Sequence, residues 1–193
     1  MTIRELLQQR AEFDRKYWAK KGSRSEWLQH ITLHLGKAIG KLAAYLEQAG
    51  HGNLPPYESL TTEVATDAVG YALQLANLFL EDLCWRTEPG WQDATLPDHQ
   101  DDYFESVTSG GFSSLLETAY EDLLYATSDL VRISNQLDAS SKEDVEDRSI
   151  LIWQAYENLL ETACEIATYF GKNLENLYQE RLVFLAGKFE QSH

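Results

Sequence analysis

The chain has 193 residues, a net charge of −15 and a pI near 4.6. That length can bury a sizeable core in one domain, and the acid excess argues against a general nucleic-acid partner. No apolar run approaches the ~20 residues of a membrane helix, and the opening MTIRELLQQR is charged and amphipathic, without a signal-peptide core. Cys84 and Cys164 lack metal-type spacing and read as buried free thiols, which fits a reducing cytoplasm. The charge is divided unevenly. Residues 1–52 carry a net +4 and residues 53–193 a net −19. The plain expectation is a basic N-terminal helix pair packed on an acidic remainder. The functional alternative is a basic patch that receives an anion such as a phosphate chain.

Apolar spacing is helical along almost the whole chain. Ile3, Leu6, Leu7, Phe13, Tyr17 and Trp18 predict a first helix over 2–19, stopped by Gly22. Ser23 and Glu26 form an S-x-x-E capping box. A second, long helix follows, with Trp27, Ile31, Leu35, Ala38, Leu42 and Leu46 as its apolar stripe. Gly50-His51-Gly52 closes it, where glycine can take a left-handed cap. Pro55-Pro56 opens a third helix reaching Leu83. Residues 86–102 hold Pro89, Gly90 and Pro97 and read as a long linker. A fourth helix is expected over 112–137, a second capping box at Ser140 and Glu143, and a fifth helix over 142–170. Gly171 ends that one, and a last helix spans 174–190. No strand-like alternation occurs. The fold class expected is all-α, a bundle of five to six helices around a four-helix core.

The two halves, 1–85 and 112–193, joined by loop 86–111, can be laid on one another within a single domain spanning 1–193. HLGKAIGKLAAYLEQ then aligns with the fourth helix, placing Lys41 opposite Asp129. EVATDAVGYALQLA aligns with the fifth, placing Asp67 opposite Asn158. The separations are 26 and 29 residues. An internal duplication is the expectation this raises, alongside chance likeness of amphipathic helices.

Four stretches together carry a family resemblance: IRELLQQRAEFDRKYW, HLGKAIGKLAAYLEQ, EVATDAVGYALQLANLF and ATYFGKNLENLYQERL. The set resembles the MazG-like all-α nucleotide pyrophosphohydrolases, most closely over residues 2–83. The resemblance implies a first motif helix bearing E-E-x-x-E and a second bearing E-x-x-D, whose acids hold Mg²⁺ over a nucleoside triphosphate. Carboxylates suit that task because Mg²⁺ prefers oxygen ligands and then orients the attacking water.

The chain departs from the pattern at the chemistry. Lys37, Ala38, Ile39, Gly40 and Lys41 stand at the first motif. Asp67 matches the second, but Glu63 lies four residues before it rather than three, and Val64 occupies the glutamate's position. Lys37 and Lys41 lie one turn apart, and His30 and His34 continue the row. The plain expectation is that Lys37 and Lys41 replace the metal's charge and cross-link to Glu63 and Asp67. The sharper one is that His30, His34, Lys37 and Lys41 bind phosphate without a metal. A third places a Mg²⁺ site in the second half, at Glu121, Asp122 and Asp129 with Glu157, Glu161 and Glu165. Glu26, His30 and His34 could share a zinc ion by spacing, but no further ligand motif follows.

The leading expectation is therefore a catalytically degenerate MazG-like protein acting through protein association, with nucleotide or phosphate binding left open. No cofactor is expected. An active Mg²⁺-dependent nucleoside triphosphate pyrophosphohydrolase, with Glu63 and Asp67 as weak metal ligands, is the alternative; a ligand-free helical scaffold is another. The resemblance implies a homodimer or another protein as partner, with no nucleic acid and no membrane.

Overall fold

Helices account for nearly all of the computed structural model, which describes residues 1–18, 23–53, 55–80, 83, 90–96, 113–138 and 145–191. Six α-helices occur among these: α1 (Ile3–Tyr17), α2 (Arg24–Gly50), α3 (Thr66–Leu78), α4 (Ser113–Asp138), α5 (Val145–Tyr169) and α6 (Leu174–Glu190). The only β-type pairing among the described residues is an isolated bridge between Thr2 and Thr95. No helix is long and apolar enough to cross a membrane among the described residues.

Local chemistry sets the helix ends. Ser23 and Glu26 make the expected reciprocal cap, with Ser23 N–H donating to Glu26 Oε2 at 2.7 Å and Glu26 N–H to Ser23 Oγ at 3.3 Å. Thr2 and Glu5 form a second such box on α1. Gly52 and Gly171 take positive φ, 78° and 61°, after α2 and α5. Cys84 and the Ser140–Glu143 box lie outside the described residues, and Cys164 is a buried free thiol.

The expected third helix is not uniform. Leu60–Ala65 form a π-helical turn that leads into α3. Threonine hydroxyls crowd this segment. Thr62 Oγ1 donates to the Glu58 carbonyl at 2.6 Å and Thr66 Oγ1 to the Thr62 carbonyl at 2.8 Å. Such back-bonding competes with the ordinary backbone ladder and distorts helices. At Phe79, φ of −130° interrupts the expected helix, and Leu80 and Leu83 beyond it are again helical.

α3 is apolar nearly all round, and Ala68, Val69, Ala72, Leu73, Leu75 and Ala76 are all buried. It is the central helix. Leu28, Ile31, Leu35 and Leu42 of α2 share its core with Leu123, Ala126 and Leu130 of α4 and Ile152, Leu159 and Ile166 of α5. α4 packs most extensively on α5 and also on α2, while α5 meets α3. Burial of each such leucine or isoleucine is worth roughly 1.5–3 kcal/mol.

α1 and α6 flank this core. Phe13 and Tyr17 meet Phe189 with ring centroids 6.2 and 5.3 Å away, and Lys16 pairs with Glu190 at 2.9 Å. Part of the expected linker is also packed. Ile3 N–H donates to the Ala94 carbonyl at 2.7 Å, Arg4 pairs with Asp93 at 3.0 Å, and Trp91 sits edge-on to Tyr156. These ion pairs, with Lys41–Glu63, join the basic N-terminal segment to the acidic remainder. The charge asymmetry is thus used inside the molecule.

Candidate functional site

The row on α2 divides into two environments. His30 and His34 stack on each other with centroids 4.5 Å apart. His30 also packs on Trp18 at 4.9 Å and Trp27 at 6.3 Å, and His34 faces Tyr71 at 5.9 Å. They belong to an aromatic cluster between α1, α2 and α3. Glu26, the first member of the possible zinc row, is engaged in its capping box. Lys37, two turns below His30, is exposed and makes no ion pair among the described residues. Lys41 ion-pairs with Glu63 of the π-turn.

The expected double cross-link of two lysines to two acids is therefore half correct. Lys41 takes Glu63, but Asp67 is held by Arg181 of α6. Arg181 Nε and Nη2 donate to Asp67 Oδ1 at 3.1 and 3.0 Å, and Nη2 reaches Oδ2 at 3.3 Å. This forked contact is the more sheltered of the two, with side chains 16% and 26% exposed against 39% and 41% for Lys41 and Glu63. Nothing local in the sequence announces Arg181, which is 114 residues from its partner. The split has a geometric reason. Glu63 lies in the wide turn and Asp67 in the regular helix, so they serve different neighbours.

Beneath Asp67 lies a buried polar knot. Arg10 Nε approaches Asp14 Oδ1 at 3.0 Å, and Gln74 Nε2 donates to Asp14 Oδ2 at 2.9 Å. Burial opposes the charge on Arg10, yet Tyr178 and Asp14 outweigh it and raise its pKa above the ordinary value. Burial likewise pushes up the Tyr178 and Tyr71 phenols, so both stay neutral. Gly70 makes room for this knot, since a Cβ there would stand 2.8 Å from Arg10 Nη1.

The acids of the second half meet between α4 and α5. Glu165 is 2% exposed. Burial pushes its pKa up to about 9, with Asp122 and Glu161 adding to the rise. Asp122 is raised to about 6 by burial and by Glu161 and Glu121, and it hydrogen-bonds Glu165. Burial also raises Glu157 and Asp129, the latter despite Arg132 at 3.4 Å. At neutral pH Glu165 keeps its proton and donates to the Asp122 carboxylate. Cys164, pushed up to about 12 by burial and then by Glu165 and Glu161, is an unreactive thiol. Among the described residues, no three His, Cys, Asp or Glu side chains converge in an arrangement that could hold a metal ion.

What the arrangement can do is hold helices together and present cations. Both acids of the second motif are engaged by basic side chains, and the acids of α4 and α5 share a proton. No family model, curated protein or solved structure matches the chain.

Proposed function

We propose that this chain is a catalytically degenerate MazG-like helical protein that works by association, with a second copy of itself or another protein. The observation that carries the reading is the forked Arg181–Asp67 pair. It engages both carboxylate oxygens at the one position where the chain keeps the family's acid. Lys41 engages Glu63 through one carboxylate oxygen, and a divalent cation brought beside these groups would be repelled by both cations. The π-turn adds support for the kinship. A π-turn accommodates one more residue than an α-turn, and the chain has one residue more between Glu63 and Asp67 than E-x-x-D.

Association is supported by apolar side chains left on outer helix faces. Leu124, Tyr125 and Val131 on α4 are 41%, 61% and 44% exposed, and Val183 and Phe184 on α6 are 74% and 59% exposed. In this reading a phosphate-bearing ligand meets Lys37. His30 and His34 are already taken up by Trp18, Trp27 and Tyr71.

The test is release of pyrophosphate from a panel of nucleoside triphosphates with Mg²⁺. The parent should show no turnover above background. Turnover that Asp67→Asn abolishes would overturn the degenerate reading in favour of the active pyrophosphohydrolase.

A further inference from the structure

At the C-terminal end of α1, a groove of about 250 Å³ opens between α1, α2 and α3. Trp18 and Trp27 line it, with ring centroids 6.0 Å apart and planes at 43°. Asp14, Gln74 and Asn77 supply its polar lining, and Arg15, an exposed side chain, stands at its edge.

The polar groups are unevenly satisfied. Gln74 is only 2% exposed. Its Nε2 is committed to Asp14 Oδ2, which fixes the amide orientation. Its Oε1 has no hydrogen-bond partner. Asp14 Oδ1 is close to Arg10 Nε but has no aligned hydrogen bond. Asn77 has spent an Nδ2 hydrogen on the Leu7 carbonyl at 3.0 Å. The groove thus gathers a buried acceptor without a donor, Gln74 Oε1, and Asp14 Oδ1, which has only its ion pair with Arg10; leaving a buried acceptor unmet is costly.

We propose that this groove binds a guanidinium group. Two acceptors on neighbouring side chains, Gln74 Oε1 and Asp14 Oδ1, suit its forked N–H donors. Tryptophan faces attract its charge and its flat surface. The volume lies just below the roughly 300–1,000 Å³ of drug-sized sites, so it suits one side chain or a small amine rather than a large ligand. Arg10 is already matched by Asp14, and Arg15 can turn into solvent. The reading does not depend on the fate of the magnesium motif.

Calorimetry with methylguanidine, agmatine and the peptide acetyl-Gly-Arg-Gly-amide tests it. The free guanidines should bind. Gln74→Met, which removes the acceptor at similar volume, should weaken binding about tenfold or more. Trp27→Phe should also weaken it, and Arg15→Gln should tighten it. Thermal unfolding without ligand shows whether each variant folds; if Gln74→Met does not, Trp27→Phe and Arg15→Gln carry the test. Peptide binding assigns a protein arginine as the natural occupant, and binding of agmatine alone assigns a free guanidine. No binding by any probe overturns the proposal. So does binding indifferent to the folded variants, or weakened by Arg15→Gln.

Discussion

Two ion pairs that look equivalent on paper differ in what they hold. Lys41 and Glu63 are each about two-fifths exposed, whereas Arg181 and Asp67 are mostly covered. An exposed pair contributes about 0–1 kcal/mol, so Lys41→Ala should cost less than ~1 kcal/mol in chemical denaturation. Arg181→Met leaves Asp67 a sheltered charge without its partner and should cost more, about 1–3 kcal/mol. Denaturation midpoints at constant slope compare the two. Equal losses would mean that the forked geometry brings no advantage. The match of Lys41 with Glu63 could be anticipated from the family resemblance, which sets the helix of Lys41 against the segment that bears Glu63 and Asp67. Arg181 could not, because its partner is chosen by how α6 crosses α3, and no local pattern encodes that crossing.

Glycine shows the same contrast at the level of helices. Gly36 and Gly70 both lie inside helices, where alanine is normally preferred by about 1 kcal/mol. A Cβ at Gly36 would meet nothing within 4 Å, but at Gly70 it would press on Arg10 Nη1 in the buried knot. Gly36→Ala should therefore stabilise by up to ~1 kcal/mol. Gly70→Ala should destabilise by about 1–3 kcal/mol, because the buried guanidinium must shift away from its pairing with Asp14 to admit the methyl group. Thermal unfolding of both variants reads the opposite signs. Much at this scale was legible beforehand. The stripe from Ile31 to Leu42, the Ser23–Glu26 box and the glycine stops depend on neighbours in sequence, and the helices fall where those signals put them. The break at Phe79 and the packing of residues 90–96 on α1 depend on distant contacts, and the sequence offered only a continuous helix and a linker.

For the molecule as a whole, acidity and stability are linked through the pair between α4 and α5. Unfolded, Glu165 loses its proton near 4.5; folded, it keeps it to about 9. Between those values the native state holds the extra proton, so this group's contribution falls as pH rises through the interval. Asp122, raised to about 6, acts in the same direction over a narrower span. Glu165→Gln removes the titration while keeping a donor for Asp122. It should be close to the parent in stability at about pH 4.5 and ahead by at least ~1 kcal/mol at about pH 8. Urea denaturation of both proteins across that range gives the comparison, and a constant difference would place the proton elsewhere. The all-α class was plain from apolar periodicity alone, whereas the proton-sharing pair was not. From the sequence, Glu157, Glu161 and Glu165 stand as candidate Mg²⁺ ligands, and only the packing of α4 on α5 shows that the last of them is buried.

The widened turn at Leu60–Ala65 has a consequence for descent. Removing a single codon there would let the segment rewind into an ordinary helix and bring an acid back to three places before Asp67. The same excision would swing Glu63 around the axis, away from the ammonium of Lys41. On the proposed kinship, one small genetic step separates this chain from half of an ancestral arrangement, and the lysines of α2 guard the other half.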